Sequence, residues 1–197
     1  MYLKIISVIA IAIAALALGA TTALAEEFTA KEYPANITSK ATTAQEFSIG
    51  EASISCSEAA FTGELAKASS ELDVAPGFGG CKATIGGLHF DVLFSILEIA
   101  YFSFKIHSLF KWLLSVLGND KITFKIEVRE CAVSVPVGQL LEGVSGENAS
   151  GKIKVTAAVT GIKQENTCGL GTGTANYKGS VEVSATNSKG EADAIEA

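Results

Sequence analysis

The strongest constraint on this chain is the alternation in Ile122-Thr-Phe-Lys-Ile-Glu-Val-Arg129. There Ile122, Phe124, Ile126 and Val128 share one parity, and Thr123, Lys125, Glu127 and Arg129 the other. A strict period of two is the pattern of a strand with one face buried. The apolar parity then moves by one, to Cys131, Val133, Val135 and Val137, which predicts a bulge or tight bend near Arg129-Glu130 and places Cys131 on the core face. Ile153, Val155, Ala157 and Val159 repeat the pattern, as do Tyr177, Val181 and Val183. Phe47 and Ile49, Ile54 and Cys56, and Leu72 and Val74 are shorter instances nearer the start. Turn signals fall at Ser48-Ile-Gly50-Glu, Pro76-Gly77, Gly79-Gly80, Gly118-Asn119-Asp120, Gly146-Glu-Asn148 and Ser188-Lys-Gly190. Short strands punctuated in this way predict an all-β fold, an antiparallel sandwich or a partly closed barrel.

The segment Leu88 to Leu117 departs from that pattern. It is far more hydrophobic than the rest and contains the single Trp, Trp112. As a helix it would carry Asp91, Ser95, Glu98, Lys105, Ser108 and Ser115 on one polar stripe broken by Phe102. As strands, Tyr101, Ser103, Lys105 and His107 would alternate against Phe102, Phe104 and Ile106. Leu109 to Leu117 has no two-residue alternation and the run has no internal turn residue, so the reading leans to one helix. Two roles are open to it. It fills the core, or it is an apolar contact surface made by Phe90, Phe94, Phe102, Phe104, Phe110 and Trp112 that meets lipid, an apolar ligand or another protein. Asp91, Glu98, Lys105 and Lys111 interrupt it too often for a membrane span.

Residues 1–25 predict export. Lys4 precedes an apolar run from Ile5 to Leu18, and small residues follow up to Ala23-Leu24-Ala25, an A-x-A cleavage site, with Glu26-Glu27 immediately after. A spanning helix needs roughly 20 apolar residues, and this run stops short, as the helix of a secretory signal peptide does. Cleavage after Ala25 would leave a single domain, Glu26 to Ala197, in the medium or at the cell surface. Loss of Lys4 takes the net charge from −6 to −7. With no cluster of Lys and Arg to neutralise phosphates, nucleic acid is not an expected partner.

The four cysteines Cys56, Cys81, Cys131 and Cys168 all follow the leader. An even number in an exported chain is read first as disulfides, and four allow three connectivities. Cys56–Cys81 and Cys131–Cys168 are favoured, because each pair brackets one compact stretch of turn-linked strands. Zinc sites use close pairs such as C-x₂-C, and the nearest cysteines here are 25 positions apart. No metal or other cofactor is expected.

Several stretches together resemble an uncharacterised family of small exported cysteine-containing β-proteins from actinobacteria. They are Phe28-Thr-Ala-Lys-Glu-Tyr-Pro-Ala-Asn-Ile-Thr38, Ile54-Ser-Cys56, Ala60-Phe-Thr-Gly63, Gly79-Gly-Cys81, Val159-Thr-Gly-Ile162, Cys168-Gly-Leu-Gly-Thr-Gly173 and Tyr177-Lys-Gly179. The resemblance implies a bacterial, exported β-fold and strands in the central region, and it carries no activity. Family members usually have two further cysteines in the middle, where this chain has apolar residues around Leu88 and Val116.

Chemistry-bearing patterns are sparse. His89 and His107 lie in the hydrophobic segment with no G-x-S-x-G elbow and no H-x-x-x-H spacing. Glu127 and Glu182 fall on outward strand parity, as a solvated face requires. Tyr33, Phe61, Phe78 and Tyr177 are the aromatics left for stacking a sugar. Gly169-Leu-Gly171-Thr-Gly173 resembles a phosphate loop but leads into a strand, not a helix, and reads as a bend permitting close backbone approach. Asn36-Ile-Thr38 and Asn148-Ala-Ser150 match the glycosylation sequon at chance level. The expected function is an exported, non-enzymatic structural or interaction domain whose partner is a protein or envelope component. The alternatives are a binder of lipid or an apolar ligand through 88–117, with a membrane surface less favoured, and a secreted hydrolase.

Overall fold

The computed structural model describes residues 27–96, 100–108, 111–118, 121–126 and 131–197, and these are all-β. The expected leader, Phe110, the turn residues Asn119-Asp120 and the proposed bend at Arg129-Glu130 lie outside the described residues. In chain order the strands are β1 (Thr29–Ala30), β2 (Ala35–Ala41), β3 (Gln45–Ile49), β4 (Ala52–Leu65), β5 (Glu71–Ile85), β6 (Leu88–Ile96), β7 (Ala100–Ser108) and β8 (Lys111–Gly118). They continue with β9 (Ile122–Ile126), β10 (Cys131–Val135), β11 (Gln139–Ala149), β12 (Lys152–Ile162), β13 (Glu165–Asn166), β14 (Ala175–Thr186), β15 (Ala192–Asp193) and β16 (Ile195–Glu196).

The large sheet runs β5–β7–β8–β11–β12–β14–β2–β4, and β4 pairs back onto β5 from Ser53↔Thr84 to Gly63↔Val74. These strands form a ring, with β3 filling the seam between β14 and β4. A second branch, β6–β9–β10–β13, leaves the same strand β5. The start of β5, Glu71 to Val74, pairs with β7, and the last part, Cys81 to Ile85, pairs with β6. Pro76, which has no N–H to give to a ladder, sits in the interval between the two branches. The fold is therefore a partly closed barrel with a second layer folded over it.

The β4–β5 hairpin carries a coupled change of face. Buried positions run Ala52, Ile54, Cys56 and then Ala59, Phe61 in β4, and Leu72, Val74, Phe78 and then Cys81, Ala83 in β5. The pairing register is unbroken across the change, so both strands flip together. Gly80 makes the turn of the chain there with φ +59°, and a Cβ on it would stand 2.2 Å from the Ser57 hydroxyl. Cys56 and Cys81 are direct cross-strand partners beside this point and form a disulfide, with Cα atoms 3.9 Å apart. Cys131–Cys168 is the second disulfide. It joins β10 to the segment that follows β13, where Thr167 also pairs with Ala132 through N–H to O at 3.0 Å and Oγ1 from N–H at 2.9 Å. That segment covers the edge of the second branch.

Two expectations change. The helix expected in Leu88–Leu117 is instead strands β6, β7 and β8. Cys131 is buried as expected, opposite Ile126 in the antiparallel pair of β9 and β10. Pro76-Gly77 and Gly79-Gly80 lie within β5 and Gly146-Glu-Asn148 within β11. The reversals fall at Gly86-Gly87 and Ser150-Gly151, whose positive φ values (+58° and +80°, +53° and +76°) are those of two-residue hairpin turns.

Candidate functional site

The β7–β8 hairpin aims Phe102, Phe104 and Ile106 from one strand, and Trp112, Leu114 and Val116 from the other, into the ring. Across from them, β12 contributes Ile153, Val155, Ala157 and Val159, and β14 contributes Tyr177, Gly179, Val181 and Val183. These side chains leave three apolar voids of about 20, 20 and 30 Å³. The first and the middle void share Phe61, Phe104, Val155 and Val181, and the middle and the third share Phe102, Leu114 and Tyr177. The first and third share no residue, so the voids form a row along the strand direction. Phe28 stands at one end of the row, and Ile122 with Val135 of the second layer at the other.

Two glycines on inward strand positions make room for larger side chains. A Cβ on Gly146 would stand 1.8 Å from the Trp112 ring, so the indole lies directly over the β11 backbone. The Phe28 ring meets the same indole edge-on at 5.0 Å. A Cβ on Gly179 would stand 2.1 Å from Gln45 Oε1. Gln45 is fully buried. Its Nε2 donates to the carbonyls of Thr43 (2.7 Å) and Ser180 (3.1 Å), and its Oε1 accepts from the Tyr177 hydroxyl. Burial holds the Tyr177 phenol well above its ordinary range. Among the described residues every buried side-chain nitrogen or oxygen has a hydrogen-bond partner, as an interior polar pair must if it is not to destabilise the fold.

Of the two roles open to the 88–117 segment, its described rings take core filling. Phe102, Phe104 and Trp112 are at most 8% exposed, and Phe90 and Phe94 are partly buried and packed on the core. The rings face inward because the strands alternate, so these five are filling. Phe61 and Phe78 are likewise core residues and Tyr177 packs against them, which removes them as a sugar platform. Gly169 and Gly171 have φ values of +72° and +84°, and a Cβ on either, or on Gly173, would meet nothing within 4 Å. That bend uses the freedom of glycine in its backbone and involves no close approach. The signals for Gln45, Gly146 and Gly179 were available in the chain: each is a polar or side-chain-free residue at an inward strand position.

Charged groups lie on the outer faces. Lys105–Glu71 (2.7 Å), Lys121–Glu165 (3.1 Å), Lys152–Glu182 (2.6 Å) and Lys178–Glu46 (2.8 Å) are solvent-exposed pairs that contribute little each. His89 is exposed next to the Gly86-Gly87 turn, with Nδ1 3.0 Å from Thr84 Oγ1. Among the described residues no group of three His, Cys, Asp or Glu side chains is placed to hold a metal ion. Nor is any helix among them long and apolar enough to cross a membrane. Disulfides belong to an oxidising, extracytoplasmic setting. No family model, curated protein or solved structure matches the chain.

Proposed function

We propose that the chain is an exported, non-enzymatic β-domain that serves as a structural or interaction module outside the cell or at its surface. The observation that carries this reading is the placement of the two disulfides. One fixes the hairpin from which both branches of the sheet depart, and the other closes the edge of the second branch. A scaffold covalently tied at its junction and at its edge suits a chain that must persist without chaperones in an oxidising medium. The partner class is a protein or envelope component, met by the polar outer faces of the strands.

Expression with the complete leader tests it. N-terminal sequencing of the product from the culture medium is expected to begin at Glu26, with all four cysteines oxidised. A pooled screen of peptide, ester and glycan substrates is expected to show no turnover. Turnover lost on His89→Ala, or a cytoplasmic product with free thiols and an intact leader, overturns the proposal.

A further inference from the structure

We infer that the ring encloses a binding site for one small neutral apolar molecule, formed when its three aligned voids merge. The inference goes beyond the scaffold role and does not depend on export. Protein interiors leave few gaps as large as a water molecule, and here three stand in series between the same four strands. Each has room for about one water, yet the walls offer almost no polar surface to hold it. Neighbouring voids are lined in common by inward-facing residues: Phe61, Phe104, Val155 and Val181 for the first pair, Phe102, Leu114 and Tyr177 for the second. The ladders fix the ring and Gln45 holds Tyr177, whereas Phe61, Phe102, Phe104 and Leu114 can change rotamer and join the spaces. A barrel of about eight strands has an interior of the size that is either filled by side chains or holds one small ligand.

The lining also sets the ligand's charge. None of the residues bounding the three voids is Lys, Arg or His. The Gln45 amide and the Tyr177 hydroxyl already satisfy each other, so a carboxylate would be buried without a partner. A neutral alkyl or aromatic molecule meets no such obstacle, and a single hydroxyl on it has the remaining lone pair of the Tyr177 oxygen to donate to. Entry is at Phe28. Its ring closes the first void, and its backbone is held by N–H to Ser69 O at 2.8 Å and by Ser69 N–H to its own O at 3.2 Å, next to the two-residue ladder of β1 with β16.

Two measurements on the disulfide-bonded protein from Glu26 to Ala197 test the site. In the first, dissolved xenon is expected to shift the methyl resonances of Leu114, Val155 and Val181 saturably in the unaltered protein, a readout that needs no variant to fold. In the second, 1-propanol and propanoate, short enough for a row of three one-water spaces, are titrated in at pH 8 and the same resonances are followed. Propanol is expected to move them at a concentration at least about tenfold lower than propanoate, as burial of an unpaired charge demands. Ala157→Val, which adds two carbons at the middle void, is expected to weaken the propanol response at least about threefold in a protein that still melts cooperatively. Unmoved methyl resonances, a response that does not saturate, an equal response to propanoate, or an unweakened response in the folded variant overturns the inference.

Discussion

Around Phe78 the interior is built from rings, whereas between β12 and β14 it is built mainly from branched aliphatic side chains. Phe78 packs against Phe94 (5.0 Å between centroids), Phe47 (5.5 Å), Phe61 (5.8 Å), Phe124 (5.8 Å) and Tyr177 (6.5 Å). This cluster lies where β5 sends one ladder to β6 and another to β7. Two sheets diverging from one strand open a wedge, and wide aromatic side chains fill a wedge with the least ordering of rotatable bonds. In the ring the strand number fixes the bore instead. Ile153, Val155, Val181 and Val183 face Phe28, Phe61, Phe104 and Trp112 across the first void and do not reach them fully. Phe78, Phe94 and Phe124 at the branch line none of the three voids, whereas Phe47, Phe61 and Tyr177, on the side of the cluster toward the ring, are part of their walls.

Truncation at the branch point gives the largest expected effect. Phe78→Ala should cost about 3–5 kcal/mol, the range for removing a buried aromatic ring, while Val155→Leu in the ring should change stability by less than about 1.5 kcal/mol. Chemical denaturation of both variants measures the contrast, and equal losses would mean that the ring is as well filled as the branch. Next comes the disulfide beside the branch. The double change Cys56→Ala with Cys81→Ala releases a loop of 25 residues and should lower stability by roughly 3–4 kcal/mol on the chain-entropy account. Denaturation with the Cys131–Cys168 bridge kept oxidised reads that loss directly.

The smallest effect falls at the boundary between the two regions, on Tyr177. Its phenol is raised above the ordinary value of about 10 by burial, so the native state holds the proton more tightly than the unfolded chain does. The stability tied to this group is therefore complete below about pH 10 and declines as the pH rises further. Tyr177→Phe should cost about 1–3 kcal/mol near neutrality, because Gln45 Oε1 loses its donor. Its stability curve above pH 10 should fall less steeply than that of the unaltered protein. Thermal melts between pH 7 and 11 check both statements, and parallel curves would show that the phenol is open to water.

The strands flanking the hydrophobic segment were legible because each has one wet face. Ile153, Val155 and Val159 alternate with Lys152, Lys154 and Thr156, and the eye of a periodicity argument needs no more. Both cysteine pairs were legible for a related reason, since each joins segments close in sequence. Leu88–Leu117 was misread because its strands are covered on parts of both faces. Ser103 is buried, and Leu113 and Leu117 are half-buried on the side opposite Trp112, Leu114 and Val116. With both faces partly dry the alternation fades, and a chance polar stripe imitates a helix. The voids were invisible in the chain for a different reason. They depend on which inward residues of β12 and β14 meet which of β7 and β8, a matter of register between strands far apart in sequence. Gln45, Gly146 and Gly179 offered the local hints, as residues out of place on inward positions.

Because β5 is the common partner of β4, β6 and β7, its alignment acts as a template for the whole molecule. Sliding it by one residue would turn the inner lining of both branches to solvent at once. No local slip can relax into a nearby alternative, and errors in pairing there are all-or-none. Amide exchange should therefore be slowest along β5, and sequence drift within it should be accepted only in steps that leave its length unchanged.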